Sequence, residues 1–175
     1  KVTVMDIEPD AKDWTWVLER PCTDCGFDPA DFSLALVRAD VSDMVVRWAA
    51  VLGRPNAKQR PNETTWSPTE YGCHVRDVFW LFNERLRKTR TLDEYRFINW
   101  DQDETAVDDN YASQNPADVR GQIAAAAGDF IAEVERIEDP NKVAIRGIAT
   151  RFTAEPMTAY AMHDLRHHLV FDAAG

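Results

Sequence analysis

The chain has 175 residues, of which 45% are hydrophobic and 29% are charged, an ordinary composition for a globular protein. Its formal net charge of -10 argues against nucleic acid or an anionic membrane as the main partner, because both would repel it. No apolar run approaches the roughly 20 residues of a bilayer span, and the first residues lack the order of a secretory signal. We therefore expect a cytoplasmic protein with one domain over residues 1–175, in which an N-terminal arm (1–27) precedes a bundle (28–172).

Three cysteines are too few for a disulfide framework. Cys22 and Cys25 form a lone Cys-x-x-Cys motif, without the second ligand pair of a zinc ribbon and without the strand and helix of a thioredoxin-type site. The third cysteine, Cys73, lies in a predicted helix. The motif by itself favours a tight turn over a redox centre, and whether its two cysteines form a disulfide stays open.

Two long helices are predicted in the first half of the chain. Asp28 begins an Asp-Pro-x-acid pattern that is typical of a helix start, and apolar residues follow at helical spacing as far as Gly53. The second helix begins at Ser67-Pro68-Thr69-Glu70, a capping box with proline at the first helical position. His74 lies on the apolar face of this second helix, so we expect it to point into the core.

A long connection follows the second helix. Residues 92–114 have neither helical nor strand periodicity and are predicted to form a crossover loop. The loop carries an acidic run in which Asp101, Asp103 or Glu104 could reach over a metal ion as a base. Such runs are otherwise solvated surface, which is the alternative interpretation here.

The second half of the chain has two further helix signals. Asn115-Pro116 opens a third helix with one apolar stripe, which is predicted to end at Asp139-Pro140-Asn141. Residues 144–152 are predicted to be extended or irregular, and a fourth helix runs from Thr153 to about Asp172. The predicted fold class is therefore all-α, a four-helix bundle with a long crossover loop between helices 2 and 3.

The last predicted helix carries three of the four histidines of the chain. His163 and His167 are four residues apart, which places both imidazoles on one helical face. With His74 they would make a three-ligand metal site with an open coordination position, as catalytic metals have. His168 lies about 100 degrees round the helix, so it is predicted to be the poorer ligand, at the surface or just outside the ligands, and a local pair with Asp164 is the alternative for both residues. The alternative is a polar helix face with incidental histidines.

Three stretches resemble the DinB-like (YfiT-like) superfamily of metal-binding four-helix bundles, and the resemblance spans roughly residues 28–172. They are Trp66 to Val75 at the start of the second helix, Trp100-Asp101-Gln102-Asp103 in the loop, and residues 163–169 in the closing helix. The loop is also similar to that of actinobacterial members and of the mycothiol-dependent maleylpyruvate isomerases. The resemblance implies a divalent metal, with zinc favoured and nickel as the alternative, on His74, His163 and His167.

The resemblance also implies an activity. In the isomerases the middle of the three ligands is commonly a glutamate, whereas this chain has His163 at that place. The difference favours the three-histidine thiol S-transferases, in which mycothiol is the co-substrate and is conjugated to an electrophile. A thiol at the open position would lose its proton at neutral pH because the cation stabilises the thiolate.

Further residues are assigned by charge and by proximity in sequence. Asp101, Asp103 and Asn110 could bind sugar hydroxyls or an amine of the thiol, and Arg76 or Arg166 could bind its carboxyl-bearing end. Two alternatives stay open: a hydrolase that uses metal-activated water, and a non-catalytic module in which the metal only stabilises the bundle or serves a small-ligand sensor. The expected partners are a small-molecule thiol and an electrophile, and pairing into a homodimer is left open.

Overall fold

The computed structural model describes residues 13–173, and this part of the chain is mainly helical. The helices are α1 (Val37–Leu52), α2 (Pro68–Thr91), α3 (Gln102–Asp108), α4 (Pro116–Val134) and α5 (Ala154–His167), and α5 continues as a π-helical turn (His168–Asp172). Three short strands are β1 (Tyr95–Phe97), β2 (Ala144–Arg146) and β3 (Thr150–Phe152). The predicted N-terminal arm begins outside the described residues, which contain only its part from residue 13 onward.

Helix α1 begins later than its sequence signal predicts. Asp28 does accept a hydrogen bond from the backbone N–H of Ala30, at 2.9 Å, but it caps only a single 3-10 turn over Pro29–Asp31. Phe32 and Ser33 then adopt extended backbone angles, and the α-helix starts at Val37. The predicted start at Asp28 is wrong because a cap satisfies only the first turn and cannot extend the helix through extended residues.

The capping box of α2 is confirmed. The Ser67 hydroxyl accepts a hydrogen bond from the backbone N–H of Glu70 (3.2 Å), and the Glu70 carboxylate accepts one from the backbone N–H of Ser67 (2.8 Å). Arg60 also donates to both oxygens of this carboxylate, with its Nε at 2.9 and 3.1 Å. The start of α2 is therefore fixed by three groups, and this sets the position of His74 two turns further on.

Short strands lie in the connections on both sides of α4: β1 precedes this helix, and β2 and β3 follow it. β1 pairs in parallel with β2, and β2 pairs antiparallel with β3, so the extended segment predicted over residues 144–152 is confirmed as a hairpin. Gly147 makes the turn with a positive φ of 60°, which favours glycine. The predicted all-α class is therefore only partly right for the described residues, which are mainly helical but include this small sheet, because three-residue strands are too short to produce a visible period.

Helices α1, α2, α4 and α5 pack on one another, and α2 contacts all of the other three. Phe79 of α2 meets Phe130 of α4 edge to face, with ring centroids 5.6 Å apart. Gly72 permits the close approach of α1 and α4 to α2, since a Cβ at this position would lie 3.1 Å from the Leu52 side chain and 3.3 Å from that of Val119. This packing places α2 beside α5, which carries the histidines.

A polar network is buried next to this packing. Asp77 accepts a hydrogen bond from the Arg76 guanidinium at 2.7 Å and another from the Tyr111 hydroxyl. Arg76 also donates to the side-chain oxygens of Gln114 and Gln122, at 2.7 and 2.8 Å. All the groups in this network are paired, which is the condition under which a buried charge is tolerated.

We predict that Asp77→Ala lowers the free energy of unfolding by about 3–5 kcal/mol, because it leaves the buried guanidinium of Arg76 without its carboxylate. Urea unfolding followed by circular dichroism measures the change. Asp43→Ala is the matched control, since Asp43 pairs with Arg47 on the surface at 3.6 Å and such pairs contribute less than about 1 kcal/mol. Equal losses in the two variants would contradict a structural role for the network.

Candidate metal site

Helix α5 and the turn that follows it carry two pairs of side chains that could ligate a metal ion, and the pairs are offset by one residue. His163 and His167 form one pair and Asp164 and His168 the other, each with a spacing of four. Since successive residues of a helix are about 100 degrees apart, the two pairs face different neighbours. The structure accordingly assembles two separate groups of ligand atoms.

The first group, which we call the His–Asp group, consists of His74, Asp164 and His168. One ligand atom from each residue lies within 4.8 Å of the others. Asp164 Oδ1 is 3.3 Å from His74 Nε2 and 2.9 Å from His168 Nε2. His74 is fully buried on α2, while Asp164 and His168 are partly exposed. The donors thus converge at the boundary between core and solvent.

Aromatic rings and a second carboxylate hold the imidazoles of the His–Asp group. Trp100 stacks on His74 with ring centroids 5.3 Å apart and an interplanar angle of 5°. Tyr71 stacks on His168 at 5.2 Å. His168 Nδ1 donates to Asp172 at 2.8 Å, and both residues belong to the π-helical turn. The Nε2 atom of His168 is therefore directed towards Asp164.

The second group, which we call the Cys–His group, consists of Cys22, Cys25, His163 and His167. All four side chains are buried, and one ligand atom of each lies within 4.8 Å of the others. Cys22 Sγ is 3.6 Å from His167 Nδ1. The four residues unite the N-terminal segment with α5.

The three histidines predicted to share one metal are thus divided between the two groups. His163 and His167 do share a face of α5, but Cys22 and Cys25 lie against that face. His74 meets the neighbouring face, where Asp164 and His168 form the local pair that the sequence offered as an alternative. The sequence carried a signal for this arrangement, because Asp164 and His168 have the same spacing as His163 and His167.

The remaining residues assigned from sequence fall in several places. Asp101 and Asp103 line the cleft next to the His–Asp group. Arg76 is buried in the network of Asp77. Arg166 donates through Nε to the backbone oxygen of Cys25 at 2.9 Å and lines another, smaller cavity of about 70 Å³. Asn110 is exposed in a left-handed turn, with φ of 47°, and does not line the cleft.

Asp164 and His168 of the His–Asp group line a cleft of about 1180 Å³, and so do His163 and His167 of the Cys–His group. Trp66, Trp100 and Phe82 contribute apolar walls, and Arg85 and Arg146 contribute positive charge. Three acidic residues at the start of α3 also line this cleft, namely Asp101, Asp103 and Glu104. The cleft therefore offers both apolar surface and charges of either sign around the group.

Protonation of the His–Asp group follows from its contacts. Burial disfavours the charged form of His168, but hydrogen bonds to Asp164 and Asp172 outweigh it and raise the pKa of His168 to about 9. Burial likewise opposes ionisation of Asp164, yet the hydrogen bonds from His168 and His74 hold the pKa of this carboxyl well below its usual range. Burial and the neighbouring His168 lower the pKa of His74. Without a metal, a protonated His168 thus bridges two carboxylates.

The donor set of the His–Asp group fits a divalent cation. Two imidazoles and one carboxylate are a ligand set of catalytic zinc sites, in which a fourth position stays open. Binding of a cation requires that the proton shared between His168 and Asp164 is released. Asp172 remains on Nδ1 of His168, in the position from which a carboxylate orients a ligating imidazole.

The profile of the DinB superfamily matches residues 40–170, and the chain therefore belongs to this superfamily, which includes metal-dependent enzymes. The match covers α2 and α5, the helices that supply the His–Asp group. No curated protein and no solved structure matches the chain. None of the helices in residues 13–173 combines the length and the apolar character required to cross a membrane.

We predict that the chelator-treated protein is most stable near pH 6.5. Above this value His168 keeps its proton only in the folded state, so stability falls as the pH rises through about 9. Below it, burial holds the pKa of His163 at about 4, so the unfolded chain binds the proton first and stability falls as the pH drops. Thermal unfolding at a series of pH values measures the profile.

The control for this profile is His168→Gln, which removes the imidazole that titrates on the alkaline side. The variant should lose the fall of stability between pH 6.5 and about 9 while it keeps the fall on the acid side. A wild-type profile that rises steadily over the alkaline range would contradict the assignment of a protonated His168.

Proposed function

We propose that the protein is a divalent-metal-dependent enzyme that activates a low-molecular-weight thiol, such as mycothiol, for transfer to an electrophile. The ligands that we propose are His74, Asp164 and His168, and the metal is zinc, with nickel as the alternative. The observation that carries the proposal is the convergence of these three donors beside a large cleft, which Asp164 and His168 line while His74 is fully buried. We also propose that the fold is the four-helix bundle of the DinB-like type, as a single domain over residues 1–175.

Residues of the chain prepare the site for a ligand in the cleft. When bound, a divalent cation would stabilise the thiolate form of a coordinated thiol at neutral pH. Trp100 and Tyr71 fix the planes of the two imidazoles, and Asp172 fixes the rotation of His168. Asp164 contributes one negative charge, so a divalent cation there keeps one net positive charge, which favours an anionic ligand.

The nucleophile has to come from outside the protein. Cys73 is completely buried in the core, and burial raises the pKa of its thiol to about 12. Cys22 and Cys25 are buried in the Cys–His group. Among the described residues, no cysteine lines the cleft. This distribution supports an exogenous thiol as the reacting group.

The cleft is suited to two substrates. Its volume of about 1180 Å³ exceeds the range of roughly 300–1000 Å³ that is typical for one drug-sized ligand. Arg85 and Arg146 can bind a carboxylate of the thiol or of the electrophile, and Asp101 and Asp103 can bind hydroxyl or amine groups. We propose these arginines in place of Arg76 and Arg166, which are not among the residues that line the cleft.

A thiol-dependent isomerase is the second candidate, and Asp164 is the observation that favours it. The maleylpyruvate isomerases that the chain resembles commonly have a glutamate as the middle ligand, and in the proposed set Asp164 supplies a carboxylate at that place, between His74 and His168. An isomerase regenerates its thiol, whereas a transferase consumes one thiol for each product. The two functions share the same thiol activation and differ in this stoichiometry.

We predict that mycothiol added to the cobalt-substituted protein produces additional sulfur-to-metal charge-transfer absorption. In His74→Ala this increase should be lost, because a ligand of the proposed site is missing. Cys73→Ala, which removes a buried thiol outside both groups, should keep it. Because Cys22 and Cys25 are themselves possible sulfur ligands, the quantity to compare is the increase on adding mycothiol. The absence of any increase in the wild type would refute thiol activation at this site.

Turnover then separates the candidate reactions. With monochlorobimane as the electrophile, a transferase should consume mycothiol in a one-to-one ratio with product. With maleylpyruvate, an isomerase should leave the mycothiol concentration unchanged while the substrate disappears. Hydrolysis of ester or amide substrates without any thiol would instead favour the hydrolase alternative.

A further inference from the structure

We propose that the protein has a second metal site, in which Cys22, Cys25, His163 and His167 hold a structural zinc ion. This site shares no ligand with the His–Asp group and does not depend on the proposed activity. Two thiolates and two imidazoles are a ligand set of structural zinc sites, and the spacings Cys-x-x-Cys and His-x-x-x-His are typical of them.

The distances between the ligand atoms agree with tetrahedral coordination. Zinc–sulfur and zinc–nitrogen bond lengths place a sulfur and a nitrogen ligand roughly 3.5 Å apart in a tetrahedral site. Cys22 Sγ and His167 Nδ1 are 3.6 Å apart. The four ligand atoms all lie within 4.8 Å of one another, so small side-chain adjustments close the site around one ion.

The backbone around Cys22 and Cys25 is folded into a tight turn. The N–H of Gly26 donates to the carbonyl oxygen of Cys22 at 2.8 Å, and the N–H of Cys22 donates to the carbonyl oxygen of Phe27 at 2.8 Å. Gly26 has a positive φ of 70°, a conformation that favours glycine. The turn predicted from the sequence is thus confirmed, and it brings both sulfur atoms to the imidazoles of α5.

Burial and charge also fit a zinc ion. His163 is 4% exposed, and its Nε2 atom has no hydrogen-bond partner in the described part of the chain. Such an orphaned polar atom costs about 1–3 kcal/mol, and a bond from this nitrogen to a metal removes that cost. When zinc binds, the thiols of Cys22 and Cys25 release two protons to solvent, so the two thiolates neutralise the cation. A neutral complex is compatible with a buried position.

Four protein ligands leave no open position, so the role of this zinc is structural. The site joins residues 138 or more positions apart in the chain, and the contact of Arg166 with Cys25 joins the same two segments. Trp14 covers the two imidazoles, with ring centroids 5.5 Å from His163 and 5.3 Å from His167. The zinc would thereby hold the N-terminal segment on α5, whose next face carries Asp164.

Zinc content of the purified, reduced protein tests the site. The wild type should bind two zinc ions, and both Cys22→Ala/Cys25→Ala and His74→Ala should bind one. The matched control Cys73→Ala should keep two. The cysteine double variant should also lose about 10 °C of melting temperature, a shift of the size that a few kcal/mol produce in a chain of this length. A double variant that binds as much zinc as Cys73→Ala would overturn the proposal.

A measurement on the unmodified chain covers the case in which the double variant fails to fold. Zinc should protect Cys22 and Cys25 from iodoacetamide, and a chelator should expose them, as read by peptide mass spectrometry. Equal alkylation with and without zinc, or recovery of the two residues as a disulfide under reducing conditions, would contradict a zinc site. In the cobalt protein without added thiol, sulfur-to-metal absorption should be present in His74→Ala and absent in the cysteine double variant.

Discussion

The geometry of one helix separates the two groups of metal-binding residues. On α5, residues 163 and 167 stack on one face and residues 164 and 168 on the next, because neighbouring positions differ by about 100 degrees. An ion that binds one pair therefore faces different elements from an ion that binds the other. α2 supplies His74 to one face, and the N-terminal segment supplies two cysteines to the other. We propose that the His–Asp group keeps an open coordination position and that the Cys–His group supplies all four ligands. This difference follows from the offset between the two pairs.

The rest of the structure keeps these faces in place. The capping box at Ser67 and Glu70 fixes the start of α2, and the close packing at Gly72 holds this helix among its neighbours. The π-helical turn after α5 contains both His168 and Asp172, which are joined by a hydrogen bond. Such local departures from α-helical geometry are frequent at functional sites. The fold thus positions the donors on both sides before any ion binds.

Local signals in the sequence predict α2, the inward position of His74 and the extent of α5, and the structure confirms all three. The start of α1 and the strand β1 could not be predicted, because they depend on tertiary contacts more than on periodicity. The composition of the two ligand groups could not be predicted from the sequence for a related reason. Helical spacing shows which residues share a face, but it does not show which element covers that face. The sequence pattern shows no further ligands near Cys22 and Cys25, because His163 and His167 lie at the other end of the chain.

We propose that α5 contributes ligands to two metal sites, one on each of two neighbouring faces. The most direct measurement is anomalous diffraction at the zinc edge from crystals of the zinc-loaded protein. We predict two peaks, one among His74, Asp164 and His168 and the other inside the Cys–His group. A single peak bound jointly by His74, His163 and His167 would contradict the account and would restore the arrangement that the sequence alone predicts.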